Sequence, residues 1–152
     1  VNPKATVIEA ASPVTVEYPE MIRGKRVLVV EDGPTLTHGE MKYGAGVVAA
    51  EKLGAKELVD PRPYTVKSIT ATFEKYPNIG VLLPAMGYGA AQLKDLETTI
   101  NNTKCDAVVI GTPIDLSRYI KIKKPSTRVK YDLQEIGAIT IETILREKKI
   151  IK

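Results

Sequence analysis

The chain has 152 residues, of which 22 are basic and 18 acidic, so its formal net charge is +4. This length allows one domain with a core that needs no metal, and the single cysteine, Cys105, excludes an internal disulfide. The mild charge and the near absence of Phe and Trp argue against nucleic acid as the partner. No apolar run is long enough for a membrane span and no signal peptide is seen, so no membrane association and a cytoplasmic location are expected.

Apolar runs alternate with helical patterns along the chain. Strands are predicted at residues 5–10, 26–31, 57–60, 79–83 and 106–110, and helices near residues 48–53, 66–73, 93–100 and 139–148. The near-continuous apolar run at 26–31 is typical of a strand buried on both faces. The alternation therefore predicts an α/β fold, a three-layer Rossmann-like parallel sheet with helices on both faces.

Two segments depart from this pattern. Val129, Tyr131 and Leu133 alternate in a way that predicts a partly exposed antiparallel edge strand. Such an edge would suit pairing with a second copy, so a homodimer is one expected assembly. Residues 12–24, with Pro13 and Pro19, are predicted to be a linker. The abundance of Lys, Glu and Ile favours a thermophilic source.

The predicted strands are followed by loops that begin at Asp32, Asp60, Pro84 and Gly111. Ligands of open α/β sheets bind beyond the carboxyl ends of the strands, so these loops are expected to line one cleft. The alternative is that their glycines and prolines only form tight turns.

The first loop, residues 31–46, is longer than a strand-to-helix connection needs, which favours a ligand-binding role. Asp32 and His38 are its candidate catalytic residues, Asp32 through a metal bridged to phosphate and His38 as a general acid or base. Both could instead be turn residues. The residues expected to bind substrate or phosphate here are Thr35, Thr37, Gly39, Lys42, Gly44 and Gly46, the last two through backbone amides at a helix start.

The other loops add Asp60, Arg62, Gly87, Gly89, Thr112 and Asp115 as candidate binding residues. Arg62 stands between two prolines, which suits a fixed guanidinium that binds phosphate or carboxylate, although an ion pair with Asp60 would explain it equally. A phosphate loop of the G-x-x-x-x-G-K-[ST] type is absent, as is a pair of cysteines or histidines for zinc, so no dedicated metal ligand is assigned.

Four segments together carry a family resemblance: GKRVLVVEDGPTLTHGEMKYGAG, VDPRPY, LPAMGYG and VVIGTPIDL. Over residues 2–137 the chain resembles the C-terminal part of a family of predicted archaeal and bacterial GTPases related to cyclic 2,3-diphosphoglycerate synthetases. The resemblance implies a longer protein with a P-loop NTPase domain upstream. Residues 1–20 would then be the remnant of that domain and residues 21–152 a Rossmann-like C-terminal domain.

The same resemblance implies a function. The chain would be the substrate- or phosphate-binding domain of a GTPase-like protein, with a phosphorylated small molecule and the upstream NTPase domain as its partners. Mg²⁺ with GTP or ATP would be the cofactors of the full-length protein, and without the P-loop this chain would not be catalytic alone. The alternatives are a regulatory module that binds a nucleotide or phosphometabolite, and a dimerisation domain.

Overall fold

The computed structural model describes residues 2–38 and 41–152, with His38 described by its backbone alone. The chain divides into two compact units. The main unit is Thr15–Lys130, and the end unit combines residues 2–14 with Tyr131–Lys152. The assignment of residues 1–20 to a preceding NTPase domain stays a prediction.

The described residues form eight strands and five α-helices. The strands β1 to β8 are Ala10–Ala11, Val14–Val16, Arg26–Asp32, Glu57–Leu58, Leu83–Ala85, Ala107–Ile110, Ser126–Tyr131 and Gln134–Glu135. The helices α1 to α5 are Gly33–His38, Ala45–Lys52, Lys67–Lys75, Ala90–Asn102 and Ile141–Glu147. Short 3₁₀ turns lie at Pro19–Met21, Arg62–Tyr64 and Leu116–Arg118. None of these helices is both long and apolar enough to cross a bilayer.

Strand β3 is the centre of a six-stranded, mostly parallel sheet with the order β2-β7-β6-β3-β4. Its residues Val27–Val30 pair in parallel with β6 and are at most 1% exposed, as expected for a strand covered on both faces. Because β6 takes one side of β3 throughout, β4 and β5 share the other side. β4 pairs near Arg26 and β5 pairs near Asp32. The predicted α/β fold with a parallel sheet and surrounding helices is confirmed.

The edge of the sheet differs from the prediction. β7 pairs in parallel with β6, and its other side is covered by β2, so β7 is not an edge strand. The Glu17 amide donates to the Arg128 carbonyl and the Thr15 hydroxyl to the Lys130 carbonyl, which is the order of an antiparallel pair. The antiparallel edge strand is therefore β2. Of the alternating residues Val129, Tyr131 and Leu133, only Val129 is buried, on the face of β7 that also carries the buried Thr127.

Two predicted strands are shifted. The segment predicted at residues 79–83 is buried at Ile79 and Leu82, but its ladder pairing is confined to β5, from Leu83 onwards. Of the segment predicted at residues 5–10, only Ala10 lies in a strand, β1, which pairs antiparallel with β8 in a separate two-stranded sheet. The apolar composition of these segments predicted that they are strands. Where each strand begins and ends depends on the position of its partner strand.

The long first loop contains a helix that the sequence did not predict. In α1 the Leu36 side chain is buried, and the Thr37 hydroxyl donates to the Gly33 carbonyl at 3.1 Å. Pro34 lies in the first turn of the helix, where its missing N–H costs nothing. Gly, Pro and two Thr dominate this segment, and such a composition is typical of a loop.

Candidate functional site

Three of the four strands whose following loops were expected to line one cleft end close together. Asp32 at the end of β3 is paired with Ala85 of β5, and Val30 with Ile110 at the end of β6. The loops that follow are in contact, because a Cβ added to Gly33 would lie 2.8 Å from the Ala85 carbonyl oxygen. Only glycine allows this approach. The segments after β3, β5 and β6 therefore form one rim of the sheet.

A buried carboxylate lies at the centre of this rim. Glu31 is 3% exposed, and its Oε1 accepts a hydrogen bond from the Val47 amide at 2.9 Å. The amides of Gly44 and Gly46, at the start of α2, also bond to it. Burial raises the pKa of Glu31 to about 7, and the three amide donors oppose that rise. A small change in its surroundings would thus change its charge near neutral pH.

Three glycines make room for this carboxylate. A Cβ added at Gly44 or at Gly111 would lie 2.6 Å or 2.5 Å from Glu31 Oε2, and one at Gly46 would lie 3.0 Å from Oε1. These glycines come from the start of α2 and from the loop after β6. The amides of Gly44 and Gly46 and the missing side chains of all three glycines form a pocket that fits a carboxylate, and in this structure it holds the protein's own Glu31. Phosphate binding at Gly44 and Gly46 stays a prediction, and it would require Glu31 to give up these donors.

Asp32 is the more accessible carboxylate of the rim. It is half-buried, and the Thr35 hydroxyl donates to its Oδ2 at 2.8 Å. The pKa of Tyr88 is raised by burial and then by the negative charge of Asp32. The Tyr88 and Tyr119 rings lie 6.5 Å apart. Asp32, Tyr88 and Tyr119 come from the three segments at the ends of β3, β5 and β6.

A cavity of about 700 Å³ lies beside α1. Thr37 and Lys42, both predicted binding residues, line it together with Lys75 at the end of α3. Its apolar wall includes Leu36 and Ile79. Gly80 brings the two walls together, since a Cβ there would lie 2.7 Å from the Lys42 carbonyl oxygen. The cavity thus combines two cationic side chains with an apolar wall.

Arg62 makes structural contacts. Its Nη1 lies 3.1 Å from each carboxylate oxygen of Asp60, and its Nη2 donates to the Ile79 carbonyl. The guanidinium carbon stands 4.7 Å from the centre of the Phe73 ring. The ion pair with Asp60, one of the two interpretations of the sequence, is therefore present. Phosphate binding by Arg62 and Asp60 stays a prediction, and these contacts would compete with it.

The remaining candidates lie on two other loops. Gly89 caps the N-terminus of α4, and the Gln92 side chain packs against Gly87, where a Cβ would lie 2.5 Å from Gln92 Oε1. The buried Thr112 hydroxyl donates to the Ile114 carbonyl at 2.8 Å. These contacts shape the two loops, and no ligand role of the three residues is tested.

Asp115 caps a 3₁₀ turn. It accepts hydrogen bonds from the Ser117 hydroxyl at 2.6 Å and from the Ser117 amide at 3.1 Å. The Ser117 hydroxyl is the main cause of the lowered pKa of Asp115, with smaller contributions from Arg128 and Arg118. A binding role for Asp115 stays a prediction.

Two candidates lie outside the described side chains. His38 is the last residue of α1 and only its backbone is described, and Gly39 is not among the described residues. Across residues 2–38 and 41–152, no group of three or more His, Cys, Asp or Glu side chains is arranged to hold a metal ion.

The sequence did not single out Glu31, Lys75 or Tyr119. Glu31 carried a signal, because a carboxylate that continues a doubly buried strand must find buried donors. The donors come from distant segments, so the chain order alone could not name them. Lys75 and Tyr119 have no local feature that separates them from other surface residues.

The chain is similar to the arginine synthetase ArcE of Thermococcus kodakarensis, with 63% identity over 147 residues. The match covers 97% of this chain but 33% of the relative, so the chain spans about a third of the length of the curated relative that it matches. No family model matches the chain. No solved structure matches it either. The expectation that the sequence corresponds to part of a larger protein is thus supported by this relative.

Proposed function

We propose that this chain is the substrate-binding domain of a larger enzyme of the arginine synthetase kind. The cavity beside α1 would receive an anionic small molecule that carries a phosphate or carboxylate group. The observation that carries the proposal is that Lys42 and Lys75 line one cavity with the apolar residues Leu36 and Ile79.

The chemistry of the cavity supports an anionic ligand with an apolar part. Lysine ammonium groups bind phosphate and carboxylate as point charges, and Thr37 adds a hydroxyl group to the lining. A volume of about 700 Å³ is in the range of small-molecule sites. The name of the relative makes arginine, an amino acid with a carboxylate, a natural compound to test.

The nucleotide would be bound elsewhere in such an enzyme. The sequence lacks a P-loop, so we assign GTP or ATP and Mg²⁺ to the region that this chain does not match. In this arrangement Asp32, the last residue before α1, would act on the bound substrate. The resemblance to GTPases related to cyclic 2,3-diphosphoglycerate synthetases agrees with a phosphorylated substrate.

Ligand binding tests the proposal directly. Inorganic phosphate, 3-phosphoglycerate, ATP, GTP and arginine are titrated into the chain by calorimetry. At least one of these compounds is expected to bind. Lys42→Met or Lys75→Met should lower the affinity for that compound about tenfold, which corresponds to about 1.4 kcal/mol of binding free energy. Lys52→Met, at the exposed end of α2, is the matched control. Equal affinities in all four proteins would exclude the cavity as the site.

Catalysis needs a separate test. A chimaera in which this chain replaces the matching third of the Thermococcus kodakarensis protein can be assayed for arginine formation. Asp32→Asn should lower the rate at least a hundredfold while ligand binding to the isolated chain is kept. Unchanged turnover would instead favour a regulatory binding module, the alternative that the sequence left open.

A further inference from the structure

The end unit has no core of its own. None of its described residues is buried, including the side chains of β1, β8 and α5. It comprises fewer than about 40 residues, a length at which a chain without disulfides or metal rarely buries enough apolar surface. Its stability must therefore come in part from a surface outside itself.

The apolar residues of this unit are concentrated on its surface. Eight Val, Leu and Ile side chains are exposed among the described residues, and only Val81 of these belongs to the main unit. The others are Val7, Leu133, Ile136, Ile139, Ile141, Ile150 and Ile151, with exposures from 40% to 77%. The concentration of exposed aliphatic residues in one small unit favours an interaction role for that unit.

The local structure of the unit is nevertheless well defined. Thr140 and Thr143 form a capping box at the start of α5, with bonds of 2.8 Å and 3.1 Å between backbone and side chains. Glu135 of β8 accepts a hydrogen bond from the Ile141 amide, which joins the strand to the helix. Strands β1 and β8 pair in a fixed register. The exposed side chains are thus presented on a formed backbone.

Charge does not select the partner, because the unit carries five basic and five acidic side chains and no net charge. We therefore expect apolar contacts to determine which partner binds. The relative carries the matched region in a chain about three times as long, and the match includes nearly all of the present chain. A domain linked in the same polypeptide meets this surface at high effective concentration, which a second copy does not.

We propose that the apolar surface of the end unit docks onto another domain of the same enzyme, one that corresponds to the two thirds of the relative outside the match. The proposal rests on the proposed function in one respect, that the chain works as part of a larger synthetase. It concerns assembly and not the ligand cavity, so the two can fail separately.

The experiment uses this chain and the unmatched two thirds of the Thermococcus kodakarensis protein, produced as a separate polypeptide. Association is measured by calorimetry and by sedimentation of the mixture. We expect micromolar binding, weakened at least tenfold by Ile136→Asp or Ile139→Asp and unchanged by the matched control Val81→Asp. Melting curves of the variants confirm that the main unit is intact.

Two outcomes would overturn the proposal. The first is that the two polypeptides do not bind each other at 100 μM. If the unmatched two thirds of the relative does not fold when produced alone, the two polypeptides are co-expressed and the same absence of binding is tested on the pair. The second is a dimer of this chain alone that the same two substitutions dissociate, which would assign the surface to a second copy. Ligand binding in the cavity, retained in either outcome, would leave the proposed function standing.

Discussion

The main unit and the end unit contain similar apolar residues but use them in different ways. Every buried hydrophobic residue of the described chain lies in Thr15–Lys130, and β3 alone contributes Val27–Val30 at 0–1% exposure. The end unit has Ile and Leu residues in plenty and buries none of them. The difference teaches that this chain is stabilised by layers packed on both faces of a sheet, and that apolar composition alone does not form a core.

The largest expected effect is a difference in stability loss between one substitution in the main unit and one in the end unit. Leu28→Ala removes a fully buried side chain of β3 and should lower the free energy of unfolding by about 2–5 kcal/mol. Ile139→Ala removes a side chain that is 52% exposed and should change the free energy of unfolding by less than about 0.5 kcal/mol. Urea unfolding measures both. Similar losses would show that the end unit is packed in solution.

A second prediction concerns the buried charge of the main unit. With a pKa of about 7 in place of 4.5, Glu31 keeps a proton in the native state that the unfolded state loses between these pH values. The free energy of unfolding should therefore fall as the pH rises from 4.5 to 7, by on the order of 3 kcal/mol from this group, and level off above pH 7.

Glu31→Gln should remove this part of the pH dependence, because an amide does not titrate. Denaturant unfolding at pH 5, 6, 7 and 8 measures the slope. Glu51→Gln, at an exposed position on α2, is the control and should keep the slope of the unmodified chain. A Glu31→Gln protein with an unchanged slope would contradict the assignment.

A third prediction, with a smaller expected change in stability, concerns the Glu31 pocket formed by Gly44, Gly46 and Gly111. Gly111→Ala places a Cβ 2.5 Å from Glu31 Oε2 and 3.0 Å from the Gly46 nitrogen, and should cost about 1–3 kcal/mol. The cost should be smaller by at least about 0.5 kcal/mol when Glu31→Ala is also present, because one of the two contacts is gone. A double-mutant cycle in urea measures this coupling, and strict additivity would argue against the contact.

The smallest effect is expected in the end unit. Thr140→Ala removes the capping box of α5, which is worth about 1 kcal/mol to the helix. Because this helix has no buried residue, the loss should raise amide hydrogen exchange in Ile141–Glu147 without changing the global unfolding midpoint. A shift of the midpoint would mean that the two units unfold together.

Much of the main unit could be predicted from the sequence. The near-continuous apolar run at residues 26–31 predicted the central parallel strand, and Gly44 and Gly46 were predicted to stand at a helix start with their amides available to an anion. Arg62 between two prolines predicted a fixed guanidinium, and the ion pair with Asp60 was one of the two interpretations left open. These are local properties of composition and spacing.

The rest depends on residues that are distant in the sequence. The partners of Glu31 are 13 or more positions away, and β1 joins β8 across most of the chain, as the pairing of Ala10 with Glu135 shows. Arg62 was predicted without Phe73 and Ile79, which hold it in place. A sequence pattern gives the type of an element, but such contacts depend on how the elements are assembled.

The position of Glu31 has a consequence for any ligand that uses the amides at the start of α2. Above pH 7 such a ligand would replace a charged carboxylate, so its binding would be an exchange of one negative charge for another. If Glu31 stays buried when it loses the three amide donors, its pKa rises further and it takes up a proton, so the affinity of the ligand would rise as the pH falls towards 7. Added salt would then matter little, because the total charge of the pocket stays the same.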